Sequence, residues 1–454
     1  MNQQVMLEGP VAPALAGLAW PVLVVLAVQT LVGVAETYFV SSLGTAAVAG
    51  VALVFPLFML MTMMSNGGIG GGVSAAIARA VGGSRTRDAN ALLLHAVVLA
   101  VVFGALFTAS AWIAGPILFR YLGARDETLS NAILYSNLVF GAAIPAWITN
   151  LLASALRGAG NVRVPALVSV AGAVVTLGLS PLLIFGFGPV PGFGVAGAAL
   201  AMIAFNTAAA GTLAIYLRSS SSTIRLAPSR LDVRFFKDIL RVGVPSAAGT
   251  VIANLTVVTA TGFVTGFGAD ALAGYGLASR LDYLLIPLLF AIGTASVTLV
   301  GVNIGAGRHA RARSVAWTGA LMSIAATGSI GLAARLFPEG WMHIFSREPE
   351  VVAVGAAYLV RVAPLYAFMG LGMALYFASQ GAGRMLWPFT AGVTRLGTVL
   401  LAGSYWIHVA HGSITGLFWI VAASQVVFGA ISAIAMVSRR AWNAPPAPLQ
   451  AVHT

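Results

Sequence analysis

Two acidic residues stand where acids are costly. Glu36 follows a run of about 20 apolar or small residues, a length that crosses most of a bilayer. Asp282, two residues after Arg280, begins an apolar stretch that continues to residue 302. A charged side chain at the centre of a membrane helix costs about 2.5–3.5 kcal/mol even on the insertion scale, so each is a functional candidate by default. Surrounded by hydrocarbon, a carboxyl group favours its neutral form, which suits a group that takes up and releases a proton. Glu36 has a plainer reading too, as a helix-end residue that reaches water and meets a headgroup or a loop. Asp282 is open between a local ion pair with Arg280, which offsets its insertion cost, and contact with a substrate. Arg395, inside another apolar run, is long enough to snorkel to an interface.

Other patterns exclude chemistry. Gly-Ala-Gly at 158–160 and at 381–383 follows no strand, so neither is a dinucleotide-binding loop. No phosphate-loop lysine motif points to ATP, and no nucleophile–base constellation points to an enzyme. His408 and His411 read as a loop pair rather than metal ligands. Cysteine is absent, which removes disulfides and thiolate metal sites, and no cofactor is expected. Met59, Met61, Met63 and Met64 read as packed or lipid-facing before they read as an adaptable drug surface. Gly67, Gly68, Gly70, Gly71 and Gly72 either hinge their helix or admit a close neighbour.

The elements that position these residues are membrane helices. Of 454 residues, 59% are hydrophobic and 8% charged, against roughly a quarter charged in soluble domains. Mean hydropathy is +0.94. Hydropathy predicts twelve helices, near 13–38, 48–78, 91–114, 130–156, 165–187, 194–217, 243–266, 273–302, 314–337, 356–380, 388–408 and 414–437. The amino-terminal stretch lacks a basic n-region and a small-residue cleavage pattern, so its first apolar run reads as a retained helix. The net charge of +12 lies in short loops, which argues for membrane topology over nucleic-acid binding. Seventeen basic residues fall in alternate loops and the tail, including Arg439 and Arg440, against five on the other side. Both termini are therefore expected in the cytoplasm, in a multi-pass protein of the cell (inner) membrane.

The halves repeat. One constant offset sets Pro21 on Pro245, Phe39-Val40 on Phe263-Val264, Gly44 on Gly268 and Gly50 on Gly274. An offset shorter by a single position sets Gly158, Gly160 and Pro165 on Gly381, Gly383 and Pro388. An even number of helices per half makes these parallel repeats, an arrangement used by alternating-access carriers. The expected division is a six-helix bundle over 1–217, a polar cytoplasmic linker over 218–242, and a second bundle with a short tail over 243–454. Pro21 and Pro245 are positioned to bend their helices.

Trp20-Pro21, Glu36-Thr37-Tyr38-Phe39-Val40, the glycine-rich stretch 65–72, Leu156-Arg157-Gly158-Ala159-Gly160-Asn161 and the run 181–186 together resemble the multidrug and toxic compound extrusion (MATE) transporters. Gly276-Leu277-Ala278-Ser279-Arg280 and the run 300–307 continue the likeness in the second half. The resemblance implies an all-α membrane fold of two six-helix bundles in a V, and cation-coupled export of organic molecules. It places an essential acid at the position of Glu36, normally Asp, and matches Gln29 and Asn150 to polar positions of the first bundle in the DinF-like branch, the closer of two branches. That branch carries a second Asp where this chain has Ser180, and commonly an Asn where it has Thr176. Asn206 adds a polar group one turn beyond Met202, which stands where a Thr is expected. In the second half Ala260 takes the place of Glu36, and the acids of the NorM-like branch find no counterpart near Asn254 or Met369.

A sodium ion wants several hard oxygens, whereas a proton needs one titrating group, so the missing second acid favours proton coupling over sodium. The expected function is proton-coupled antiport of amphipathic or cationic drugs or metabolites by a monomer among lipids, with Glu36 as the coupling acid. Arg280 and Asp282 are further substrate-contact candidates. A flippase for a lipid-linked or polysaccharide precursor is the alternative; its anionic cargo would call for more cavity arginines than Arg280 and Arg395.

Overall fold

The computed structural model describes residues 2–188 and 190–438. Arg439 and Arg440, counted above in the charge bias, lie outside the described residues. Because a bilayer offers backbone groups no hydrogen-bond partners, a chain of this composition satisfies them within helices. After α1 (Gln3–Glu8) come α2 (Val11–Ser41) and α3 (Thr45–Met63), which runs through a π turn (Met64–Ile69) into α4 (Gly70–Gly82). Next are α5 (Thr86–Tyr121), α6 (Asp126–Gly141), α7 (Ala143–Gly158) and α8 (Arg163–Phe185). A two-residue hairpin pair, β1 (Gly186–Phe187) with β2 (Val190–Pro191), leads into α9 (Val195–Arg218). The second half holds α10 (Val233–Thr265), α11 (Ala269–Gly305), α12 (His309–Leu336), the short α13 (Pro338–Met342) and α14 (Pro349–Val362). A 3₁₀ turn (Ala363–Leu365) joins α14 to α15 (Tyr366–Gly381); α16 (Leu386–Gly397) continues through a π turn (Thr398–Ala402) into α17 (Gly403–His408), and α18 (Ile414–Val437) closes the fold.

Among the described residues ten helices are long and apolar enough to cross a membrane, and α6 with α7, bent by 46°, makes an eleventh. The α16–α17 stretch, interrupted by its π turn, takes the place of the twelfth. Pro364 accounts for the break before α15, since its ring removes a donor and crowds the preceding turn.

The chain forms two compact units, one built on Trp20–Gly243 and the other on Gln4–Ala19 with the chain from Val244 onward. The first unit packs around Trp147, Phe140, Phe119 and Leu151, the second around Tyr358, Tyr366, Phe418 and Leu359. Residues 233–242, inside the segment read above as a linker, are the opening turns of α10 and belong to the first unit. Phe235 and Ile239 are buried in its core, and the Asp232 amide donates to His95 Nε2 at 2.9 Å. The second unit holds its own borrowed segment. Met6 is buried there, Asn303 donates to the Met6 carbonyl at 3.2 Å, and Arg308 donates to Leu7 at 2.8 Å and pairs with Glu8 at 3.2 Å.

Both Gly-Ala-Gly runs are packing devices. A Cβ on Gly158 would collide with the Ser74 carbonyl of α4, and one on Gly381 would lie 2.5 Å from the Val297 carbonyl of α11. Ser74 and Val297 are themselves related by the offset that sets Gly158 on Gly381, so the repeat preserves the crossing. Gly160 and Gly383 follow with φ of 81° and 76°, the left-handed cap that ends α7 and α15.

Candidate functional site

Glu36 sits in the last turns of α2, half-buried, and accepts no hydrogen bond from any described residue. One turn further, Val40 is buried in a small apolar cluster with Ala47, Ile184, Val195 and Ala198, flanked by Phe39, Leu43 and Tyr135. On α8, Ser180 stands one turn before Ile184 as Glu36 stands one turn before Val40. Each is thus one turn from a residue of this cluster, and the Ser180 hydroxyl is fully buried without a partner among the described residues. The Tyr135 phenol of α6 is near enough to feel the Glu36 charge. An acid, an unused hydroxyl and a phenol around an apolar cluster can hold and pass a proton; three groups with a single carboxylate among them make a thin cage for a metal ion. Among the described residues no group of three His, Cys, Asp or Glu side chains gathers to hold one.

The remaining sequence candidates of the first unit lie elsewhere on its helices. Thr176, one turn before Ser180, is buried and donates to its own helix at Gly172, 2.8 Å. Gln29 is exposed on α2, two turns before Glu36. Asn150 donates to Ser65 Oγ at 2.8 Å and so braces the π turn; Arg157 reaches Asn66 of the same turn at 2.5 Å. Asn206 donates to the Met202 carbonyl at 2.9 Å and its own carbonyl accepts from Thr149, tying α9 to α7. Met202 is half-buried.

The shape of the repeat finds its match in a known family. The MatE family model fits residues 21–182 and fits again over 245–406, a window displaced by the same offset that sets Pro21 on Pro245. This chain belongs to the MatE family. MatE proteins are transporters rather than enzymes, and this one is a multi-pass membrane protein. A FAD transporter of Shewanella oneidensis is 26% identical over 380 residues, covering 82% of each chain. A probable multidrug resistance protein NorM of Thermotoga maritima is 26% identical, covering 79% of this chain and 78% of that one. Among solved structures, a MOP superfamily transporter from Pyrococcus furiosus superposes with TM-score 0.85 at 23% identity, covering 96% and 97% of the chains. A MATE protein in a bent conformation superposes with TM-score 0.88 at 22% identity, with the same coverage. These structures share the MatE fold.

In the second unit of this MatE protein, Asn254 is exposed and donates to Thr250 of its own helix at 2.9 Å. Arg280 is exposed too, its guanidinium 5.5 Å from the Phe345 ring. It makes no ion pair with Asp282. Asp282 instead accepts hydrogen bonds from two phenols, Tyr358 at 2.6 Å and Tyr366. Sequence reasoning passes over Tyr135, Tyr358 and Tyr366, because a tyrosine in an apolar run looks like core. One signal is there to find: Tyr135 and Tyr358 are related by the offset that sets Gly158 on Gly381, in register with the repeat.

Proposed function

We propose that this MatE protein is a secondary active antiporter that exports amphipathic, often cationic organic molecules in exchange for protons, with Glu36 as the coupling acid. The observation that carries the reading is the isolation of Glu36. It is a half-buried carboxyl group near the end of α2 with no hydrogen-bond or ion partner among the described residues, one turn before the Val40 cluster. An acid in such a place exchanges its charge for a proton at small structural cost, and its repeat-related position is Ala260, so the first repeat alone supplies it. Uptake of a proton would neutralise the end of α2 and alter its contacts, favouring release of the substrate outward; loss of the proton inward would reset the carrier. Both termini are assigned to the cytoplasm, and the chain acts as a monomer among lipids.

The test is transport in proteoliposomes under proton and sodium gradients imposed separately. The native protein should accumulate cationic dye under a proton gradient, and Glu36→Gln should fall to the level of protein-free vesicles. Undiminished transport by the variant overturns the assignment. A second cargo is supported by the FAD transporter of Shewanella oneidensis, which matches over most of both chains. FAD belongs beside the dyes in the same assay, and accumulation of FAD alone would replace the cationic cargo by an anionic dinucleotide.

A further inference from the structure

The second unit contains a half-buried acid that the proposed function leaves without a task. Asp282 projects from α11 into the core of that unit, where each carboxyl oxygen accepts one phenol: Tyr358 of α14 at 2.6 Å, and Tyr366 of α15. Both tyrosines are essentially inaccessible, at 1% and 0% exposure. Around them stand Tyr275, edge-on to Tyr358 at 5.3 Å, and Phe418, edge-on at 5.2 Å. The cation nearest in electrostatic terms is Arg395 of α16, yet it makes no ion pair with Asp282. Its guanidinium lies over the Phe428 ring at 5.7 Å, and its Nε is buried without a partner among the described residues. The titratable groups acting on Asp282 are thus Tyr358, Tyr366 and Arg395; Tyr275 and Tyr283 lie on its own helix, and α18 contributes only apolar side chains to the cluster.

A structural ion pair would bring Arg395 into contact. A structural hydrogen-bond hub would be served equally well by an amide or a hydroxyl. What the cluster provides is a carboxyl group with one phenol per oxygen, which can accept from both when charged or donate to one when neutral. A guanidinium group with one buried, unused donor stands in reserve. The repeat adds an independent observation: Tyr358 is the counterpart of Tyr135, which packs against the Val40 cluster one turn from Glu36. Each repeat sets its equivalent tyrosine against an acid, but the acid has moved from the first helix of the repeat (Glu36, α2) to the second (Asp282, α11).

We propose that Asp282 is a second proton-binding site of this transporter, cradled by Tyr358 and Tyr366 and answered by Arg395. When the proton binds, an O–H bond forms on the carboxyl group and donates to one of the phenols, while Arg395 rests on Phe428. When the proton leaves, the carboxylate keeps both phenol donors and draws Arg395 towards it, pulling α16 towards α11. The inference rests on the proton-coupled reading of Glu36 and extends it from one titrating acid to two, one in each unit.

Infrared difference spectroscopy of the full-length protein in lipid, titrated from acid to alkaline pH, reads protonated carboxyl groups directly. Beside the carboxyl groups in the loops, the native protein should show two titrating bands that belong to groups within the helices. Asp282→Asn should lose one and keep the other, and Glu36→Gln should lose the other. Tyr358→Phe and Tyr366→Phe, which keep the acid and nearly all the packing, should each shift the frequency and midpoint of the Asp282 band; a static structural carboxylate would show no titration to shift. If Asp282→Asn retains every titrating band, or fails to fold while neither Phe variant moves any band, the proposal is overturned. If Glu36→Gln retains every band while Asp282→Asn loses one, the Glu36 reading falls and the Asp282 site stands.

Discussion

Glu36 and Ser180 each lie one turn before a residue of the same apolar cluster, Val40 and Ile184, and the Ser180 hydroxyl has no hydrogen bond among the described residues. A carboxylate at position 180 would add a second acid near the same cluster. Ser180→Asp should therefore place two acids by that cluster and supply the oxygen set that a sodium ion needs. Sodium-gradient-driven dye uptake, at background in the native protein, should rise above it in the variant, while proton-driven uptake falls. Unchanged response to sodium would mean that Ser180 is spatially apart from the coupling acid. At this scale the sequence is unevenly legible. Glu36 stands out because a charge in an apolar run announces itself, whereas Tyr358 and Tyr366 are amphipathic and pass for core until their hydroxyl partner Asp282 is located. Asn150 is legible as polar but not as a brace, since its partner Ser65 lies 85 positions away.

At the scale of elements, the repeat is carried by close crossings rather than by polar groups. Gly158 meets the backbone of α4 at Ser74, and Gly381 meets α11 at Val297. An added methyl must push backbone aside, which costs about 1–3 kcal/mol for a well-packed site. Gly158→Ala and Gly381→Ala should each lower the melting temperature in detergent, and the double variant should show the sum, because the crossings lie in different units. Equal stability of either single variant and the native protein would show that the helices separate there without cost. The period of this motif is visible in the sequence; its role is not, since only the crossing distance distinguishes a packing glycine from a hinge.

At the scale of the molecule, each unit is completed by a segment from beyond its own repeat. The first contains the opening of α10, with Phe235 and Ile239 buried and His95 accepting from Asp232. Burying two such side chains contributes about 1.5–3 kcal/mol each. A fragment of residues 1–243 should therefore be markedly more stable in detergent than one ending at 230, as read by fluorescence-monitored gel filtration with heating. Matching profiles would show that the α10 segment is dispensable to the first unit.

Composition and periodicity alone determined that the chain crosses a membrane many times, that it is duplicated, and that Ala260 stands where the repeat would place a twin of Glu36. They suffice because hydrophobic length and repeat spacing are local or translational properties, readable along one dimension. Which unit receives Gln4–Ala19, which phenols close on Asp282, and that Arg280 turns away while Arg395 stays within reach were decided by the tertiary structure. Those outcomes depend on contacts between residues far apart in the chain, such as Asp282 with Tyr366 and Arg308 with Glu8. Chain geometry sets those contacts only after the helices have packed.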